Sequence, residues 1–194
     1  MNKTNTMILF DIDETIFFTG AKIFVRKNGE IIKELSNTEF NTYQLQEGEE
    51  FTYEQFKDAK YFAKTSKPNN TLIRLAQEYI NSGYEVNFLT ARADFDDKDI
   101  VLNFFRENGI KVGHYKNNEP HIIRSGNYTF IKDVSERKKY IIRKILNKRP
   151  EIKNVKLFDD SKNNLKKFLE LKEEFPEITF EAYLVNKSHI KEFN

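Results

Sequence analysis

Hydrophobic and polar positions alternate along the chain in a way that predicts strands and helices in turn. Short apolar runs bounded by polar residues predict buried strands at residues 7–10, 86–89, 155–158 and 179–185, with a weaker candidate at 121–124. Apolar residues at helical spacing predict helices that begin near Asn69 or Asn70, Asp94, Ser135 and Ser161. This order predicts an α/β fold with a mostly parallel sheet that helices cover on both faces.

The region after the first strand has a different pattern. Two alternating segments, residues 22–27 and 30–35, flank Asn28-Gly29, which is a strong signal for a β-hairpin. Apolar residues at helical spacing between residues 53 and 63 predict a short helix. We expect residues 1–194 to form a single domain in which residues 16–68 form a flap and a small cap.

Composition narrows the class of protein. Hydrophobic residues make up 39% of the 194 residues, which is enough to fill one core and argues against global disorder. Because 32 Lys and Arg nearly balance 30 Asp and Glu, any basic surface has to be local. The chain has no Cys, which excludes a disulfide scaffold, thiolate zinc sites and Cys nucleophiles. With no apolar leader and no run of about 18 apolar residues, we expect a soluble cytoplasmic protein.

Polar side chains follow three of the predicted strands. They are Asp11, Asp13 and Thr15 after the first strand, Thr90 and Arg92 after the second, and Asp159 and Asp160 after a later one. Because ligands bind at the carboxyl ends of strands in open parallel sheets, we expect these side chains to converge. Converging carboxylates repel without a cation, and oxygen ligands together with phosphate suit Mg²⁺. A structural Ca²⁺ site is the alternative, although residues 11–14 lack the spacing and Gly of a calcium loop.

These residues resemble the haloacid dehalogenase (HAD) superfamily of phosphotransferases. The first motif, strand-Asp-x-Asp-x-Thr, is matched by residues 10–15, the second by Phe88-Leu89-Thr90, and the fourth by Leu157-Phe158-Asp159-Asp160. The resemblance runs in the right order from about residue 7 to residue 185, and Glu14 stands where many members carry Gly. The chain also resembles the phosphatase half of polynucleotide kinase-phosphatases and small HAD-like proteins of tailed phages. The resemblance implies a Rossmann-like three-layer sandwich.

The resemblance also implies a role for each matching residue. Asp11 would attack phosphorus and form an aspartyl-phosphate, and Asp13 would protonate the leaving oxygen and then activate water. Thr90 would hydrogen-bond the phosphoryl oxygens. Mg²⁺ would be held by Asp11, by the backbone carbonyl of Asp13 and by Asp160, with Asp159 in support. The order of the last two stays reversible.

The third motif of the family is a Lys, and the chain offers three candidates. Lys138 fits the kinase-phosphatase-like pattern best and is the predicted catalytic Lys. Lys139 is the next candidate and is otherwise predicted to bind substrate, and Lys132 remains open. Each of them, taken alone, also suits a solvated surface charge.

Two further residues are predicted to bind substrate. Arg92 follows Thr90 and could hold a second phosphate or a nucleic-acid backbone. A helix cap or a surface ion pair with Asp94 or Asp96 is the alternative. Thr15 is placed with the substrate-binding residues, although a hydroxyl that organises the loop explains it better.

The small insertion favours an open crevice that admits bulky substrates. Basic residues between 137 and 149, with Tyr128, Phe130 and Tyr140 as stacking candidates, would suit a nucleic acid. The sequence thus predicts a Mg²⁺-dependent phosphomonoesterase acting on nucleic-acid ends or nucleotides, in the host cytoplasm if the protein is of phage origin. The alternatives are a phosphatase of another metabolite or of a phosphoprotein, and a HAD-like binding module without turnover.

Overall fold

The protein is described by a computed structural model that covers residues 3–40, 42–113 and 119–194. Its strands are β1 (Thr6–Phe10), β2 (Phe17–Phe18), β3 (Ile23–Lys27), β4 (Glu30–Leu35), β5 (Glu49–Thr52), β6 (Lys67–Pro68), β7 (Glu85–Thr90), β8 (Ile122–Arg124), β9 (Asn154–Asp159), β10 (Thr179–Asn186) and β11 (His189–Phe193). Its helices are α1 (Asn37–Phe40), α2 (Ala59–Thr65), α3 (Asn70–Asn81), α4 (Lys98–Glu107), α5 (Val134–Leu146), α6 (Lys162–Leu169) and α7 (Leu171–Glu174).

Six strands form the central sheet in the order β11-β10-β9-β1-β7-β8. Neighbouring strands from β10 to β8 run parallel, and β11 pairs antiparallel with β10 at one edge. The predicted α/β class with a mostly parallel sheet is therefore confirmed. The edge strand β11 was not predicted, because its exposed and mostly polar residues carry no buried pattern.

Helices cover both faces of this sheet. Residues of α3 and α4 pack with Ile8, Phe10 and Phe88 on one face. Residues of α5 and α6 pack with Leu9 and Leu157 on the other. Because both faces of β1 are buried along all of its residues, its sequence is a continuous apolar run rather than an alternating one.

Helix starts depend on side-chain caps, and two predicted starts differ from the structure. The Ser161 hydroxyl caps α6 as predicted, by accepting from the backbone N–H of Asn164. In contrast, α4 is capped by Asp97 and not by Asp94, and α5 is capped by Asp133 and not by Ser135. All of these residues are good N-caps, so the sequence alone could not decide between neighbours.

The predicted hairpin is β3 and β4, joined at Asn28-Gly29, where both residues have positive φ. A third strand, β5, pairs with β3, and the short strands β2 and β6 pair with each other. The helix predicted between residues 53 and 63 is a 3₁₀ turn at Glu54–Phe56 followed by α2. We call Glu54–Phe56 the flap turn. None of the described helices has the length and apolar content needed to cross a membrane.

Candidate active site and metal site

The strand order reverses at β1. The chain passes from β1 to β7 and β8 on one side and returns to β9 on the other. Ligands of open parallel sheets bind at such a reversal, beyond the carboxyl ends of the strands. The backbone N–H of Asp11 donates to the Phe158 carbonyl at 2.8 Å, so the ends of β1 and β9 are fixed against each other.

A buried Lys lies between two carboxylates at this reversal. The Lys138 ammonium donates to Asp11 Oδ1 at 2.6 Å and to Asp159 Oδ2 at 2.7 Å. Relative exposures of these three residues are 2%, 4% and 0%. Together with Asp160, we call them the Lys138 cluster.

Asp159 and Asp160 differ in their surroundings. Both Asp159 oxygens accept from the Asn164 amide, and Oδ1 also accepts from the backbone N–H of Ser161. Asp160 lies on the exposed side of the cluster. Asp159 is therefore held by the protein, whereas Asp160 is an exposed residue.

The carboxylates of the cluster fit a divalent cation. Asp11, Asp159 and Asp160 each offer an oxygen, and these oxygens lie within 4.8 Å of one another. Oxygens that bind one Mg²⁺ or Ca²⁺ at about 2.0 to 2.6 Å lie no farther apart than about twice that distance, which the spacing of this cluster allows. When all three carboxylates are ionised, they and the ammonium carry a net charge of −2, which a divalent cation would balance.

The pKa values of the cluster follow from burial and from this excess of negative charge. Burial raises the pKa of Asp11 well above its usual range, against the opposing effect of Lys138. Although Asp160 is exposed as a residue, surrounding protein atoms withhold water from its carboxylate, and this desolvation together with the neighbouring Asp159 raises its pKa to about 7. Burial opposes the charge of Lys138, but Asp11 and Asp159 outweigh it and raise the pKa of the ammonium. The cluster thus favours an added positive charge.

The Asp13 carboxylate pairs with a second buried cation, Arg92. Arg92 Nε donates to Asp13 Oδ1 and Oδ2 at 3.1 and 3.0 Å, and Nη2 donates to Oδ1 at 2.7 Å. The Thr90 hydroxyl donates to Asp13 Oδ2 at 3.4 Å and accepts from the backbone N–H of Arg92. Asp13 and Thr90 therefore meet, as their place after β1 and β7 predicts, but the Asp13 carboxylate lies outside the three-carboxylate group.

Arg92 also contacts the region between β1 and α3. Its Nη1 donates to the Phe56 carbonyl at 2.9 Å and its Nη2 to the Thr19 hydroxyl at 3.0 Å. The guanidinium lies 4.5 to 5.2 Å from the ring centroids of Phe56, Phe62 and Phe95. We call Arg92, Asp13, Thr19 and these three rings the Arg92 cluster.

The predicted surroundings of Arg92 were wrong. Its side chain is 1% exposed, so it does not form the surface ion pair that was the alternative. Neither alternative partner binds it, because Asp94 pairs with Lys98 and Arg124, and Asp96 accepts from the backbone N–H of Ala59.

The remaining predicted residues do not join either cluster. Lys139 pairs with Glu170 and Glu174 on the side of α6 and α7, so its predicted contact with substrate is not supported. Lys132 is exposed. The Thr15 hydroxyl is fully buried and has no hydrogen-bond partner in the described part of the chain, so it does not organise the loop by such a bond.

Much of the predicted basic surface is neutralised by carboxylates. Besides Lys139, Arg143 pairs with Glu174, and Arg149 pairs with Glu85 and Glu151. Phe130 is 71% exposed and packs edge-on against Tyr128 and Tyr140. An exposed aromatic surface is therefore present near α5, with less positive charge around it than the sequence suggests.

Sequence reasoning missed two residues that shape the site. Asn164 binds both Asp159 oxygens, and its signal is a polar residue at a buried position in the first turn of α6. Gly126 leaves no room for a Cβ, which would lie 2.4 to 2.5 Å from backbone atoms of residues 91–93. No local sequence pattern predicts this close approach, because Gly126 and residues 91–93 are distant in sequence.

Comparisons with known proteins add little to this geometry. No family model matches the chain, and no curated protein matches it. Solved structures do match, among them an archaeal beta-phosphoglucomutase from the hyperthermophilic Pyrococcus sp. strain ST 04. That similarity has 11% sequence identity and a TM-score of 0.43, over 86% of this chain and 83% of the other. At this level it carries no argument about function, and the α/β class stands on the sheet topology.

Proposed function

We propose that the protein is a Mg²⁺-dependent phosphomonoesterase that acts through an aspartyl-phosphate on Asp11. One observation supports this most directly. A buried Lys lies between the carboxylates of Asp11 and Asp159, with Asp160 beside them, where β1 and β9 end. A structural role alone would not require such an excess of buried negative charge, because unbalanced buried charges cost stability.

The chemistry assigns one step to each carboxylate of the loop after β1. Asp13 carries a proton when the substrate binds. An Asp11 oxygen attacks phosphorus, the ester oxygen departs with the bonding electrons, and Asp13 gives that oxygen its proton, which leaves the ionised Asp13 paired with Arg92. Water then attacks the aspartyl-phosphate, Asp13 takes its proton, and Asp11 and inorganic phosphate are released. The Thr90 hydroxyl, which lies beside Asp13, would donate to a phosphoryl oxygen.

Lys138 and the metal share the task of balancing charge. Lys138 neutralises Asp11 before attack and can donate to a phosphoryl oxygen as charge builds in the transition state. Asp11, Asp160 and the backbone carbonyl of Asp13 would hold Mg²⁺, with Asp159 in support because its oxygens are already bound by Asn164, Ser161 and Lys138. When bound, Mg²⁺ supplies positive charge to the phosphoryl oxygens.

For the substrate we propose a nucleic-acid end or a nucleotide. The exposed ring of Phe130, with Lys144 at 5.4 Å from the centroid of the neighbouring Tyr128 ring, supports a contact with bases. A phosphorylated metabolite or a phosphoprotein is the alternative, and the neutralised cations on α5 favour it.

Phosphate release from a panel tests both levels of this proposal. The panel contains an aryl phosphate, nucleoside monophosphates and oligonucleotides with a 3′- or 5′-phosphate, each with Mg²⁺, with EDTA and with the Asp11→Asn protein. We expect release that needs Mg²⁺ and is lost in Asp11→Asn. Folded wild-type protein that binds Mg²⁺ but releases no phosphate would instead support a binding module without turnover.

A further inference from the structure

We infer that Arg92 is a positioning residue that fixes Asp13 and ties it to the flap turn, and that it does not bind substrate. This inference rests on the proposed phosphomonoesterase function. It changes the predicted role of Arg92, and it assigns the flap turn a part in the proton-transfer step.

The bonds of the guanidinium leave it little capacity for a substrate. Its Nε and Nη2 hold both oxygens of Asp13, and Nη1 holds the carbonyl of Phe56. The second bond of Nη2 goes to the Thr19 hydroxyl. All three nitrogens are thus engaged within the protein, and 99% of the side-chain surface is covered.

The rings around the guanidinium fix its plane. Phe56 belongs to the flap turn, Phe62 to α2, and Phe95 follows β7. Their centroids lie 4.5, 4.9 and 5.2 Å from the guanidinium carbon. A planar cation fits between aromatic faces, and the ammonium of a Lys cannot reproduce both this contact and the fork of hydrogen bonds.

The backbone of Arg92 is fixed as well. Its N–H donates to the Thr90 hydroxyl, and its carbonyl accepts from the N–H of Gly126. Gly126 approaches so closely that a Cβ there would collide with residues 91–93. Arg92 is therefore held at both ends, and it can transmit the position of the flap turn to the Asp13 carboxylate.

A consequence for catalysis follows from this connection. A proton donor misplaced by about 1 Å can cost about 100-fold in rate. If Arg92 sets the position of Asp13, its loss should lower kcat and leave KM nearly unchanged. A residue that bound the substrate would raise KM instead.

Arg92→Lys and Arg92→Ala test the inference, with Arg124→Lys as the matched control. Arg124 ends the neighbouring strand β8 and pairs with Asp94, away from Asp13. We expect Arg92→Lys to lower kcat about 100-fold on an alkyl phosphate with little change in KM, Arg92→Ala to lower it further, and Arg124→Lys to retain activity. The loss should be smaller on a nitrophenyl phosphate, whose leaving group needs less help from an acid.

Two further variants separate positioning from general damage. Because Asp13 is the residue through which Arg92 acts, adding Arg92→Lys to Asp13→Asn should cause little additional loss. Thr19→Val removes one contact of the guanidinium and should lower kcat about tenfold, with the same dependence on the leaving group. Thermal unfolding of each variant shows that the protein is still folded.

The outcomes distinguish this inference from the proposed function. Wild-type protein silent across the panel overturns the proposed function and the inference with it. An active wild type whose Arg92→Lys variant has a raised KM and an unchanged kcat overturns the inference alone. So does an Arg92→Lys loss that is equal for alkyl and nitrophenyl phosphates.

Discussion

Two buried cations lie beside the loop after β1, and they neutralise it to different degrees. Lys138 faces three carboxylates and leaves the Lys138 cluster with excess negative charge on its Asp160 side. Arg92 faces one carboxylate, Asp13, and is enclosed by three rings. The Lys138 cluster carries unbalanced negative charge and can bind a cation. The charges of the Arg92 cluster are balanced, so that cluster can fix the position of Asp13. The unbalanced carboxylate Asp11 and the paired carboxylate Asp13 thus lie within three residues of sequence.

The largest expected contrast comes from Asp11→Asn and Asp13→Asn. Asp11→Asn should lower turnover at least about 10⁴-fold, because the nucleophile is lost. The free energy of unfolding should stay nearly unchanged, because Lys138 retains its ion pair with Asp159. Asp13→Asn should cost about 3 kcal/mol of that free energy, because it leaves Arg92 buried without a counter-charge. Urea unfolding measures the stability of the two variants, and phosphate release measures their turnover. Equal stability of the two variants would contradict the proposed difference between the clusters.

Lys138→Met and Lys139→Met compare neighbours on one helix. Lys138→Met should lower turnover about 10³-fold and cost about 3 to 5 kcal/mol of the free energy of unfolding without Mg²⁺, since it leaves buried carboxylates unpaired. Lys139→Met removes a partly exposed ion pair with Glu170, and should cost about 1 kcal/mol or less with turnover retained. Comparable small effects on turnover would show that Lys138 is not a catalytic residue.

The sequence predicted the Lys138 cluster better than the Arg92 cluster, for a physical reason. Strands buried on both faces are continuous apolar runs, so their ends, and the acids that follow, are visible in the sequence. The choice of Lys138 followed from its fit to the kinase-phosphatase-like pattern, and the structure places this Lys between Asp11 and Asp159. The roles of all these residues remain predictions.

The partners of Arg92 could not be predicted in the same way. Thr19 and Phe56 are 73 and 36 residues away in sequence, in irregular segments between short strands. No period relates such positions, and only the folded insertion brings them together. The strand β11 was missed for a similar reason, since its pairing with β10 comes from tertiary structure and not from a buried pattern.

Mg²⁺ should stabilise the Lys138 cluster and leave the Arg92 cluster unchanged. At about 100 times its Kd, a ligand specific to the folded protein adds about 2.7 kcal/mol to the free energy of unfolding. We expect this gain in wild-type protein and in Arg92→Lys, and its loss in Asp160→Asn, by thermal unfolding with EDTA as the reference. Stabilisation by Ca²⁺ but not by Mg²⁺ would favour the structural calcium site instead.

Glu14→Gly should have the smallest effect, and it tests to which of the two clusters Glu14 belongs. Glu14 has φ 58°, a region that favours Gly, and its negative charge helps to raise the pKa of Asp160. Its carboxylate also accepts from the backbone N–H of Thr19, next to Arg92. Relief of strain and of repulsion should together raise the free energy of unfolding by about 1 kcal/mol.

Asn28→Gly is the matched control, because Asn28 has φ 52° in the exposed hairpin turn, away from both clusters. If repulsion of Asp160 contributes, the advantage of Glu14→Gly over Asn28→Gly should shrink when Mg²⁺ is added, since the cation balances the same charge. Destabilisation by Glu14→Gly would mean that its bond to Thr19 dominates, and Glu14 would then belong with the Arg92 cluster. In that case Glu14 would connect the two clusters, and a metal bound at the Lys138 cluster would also affect the Arg92 cluster.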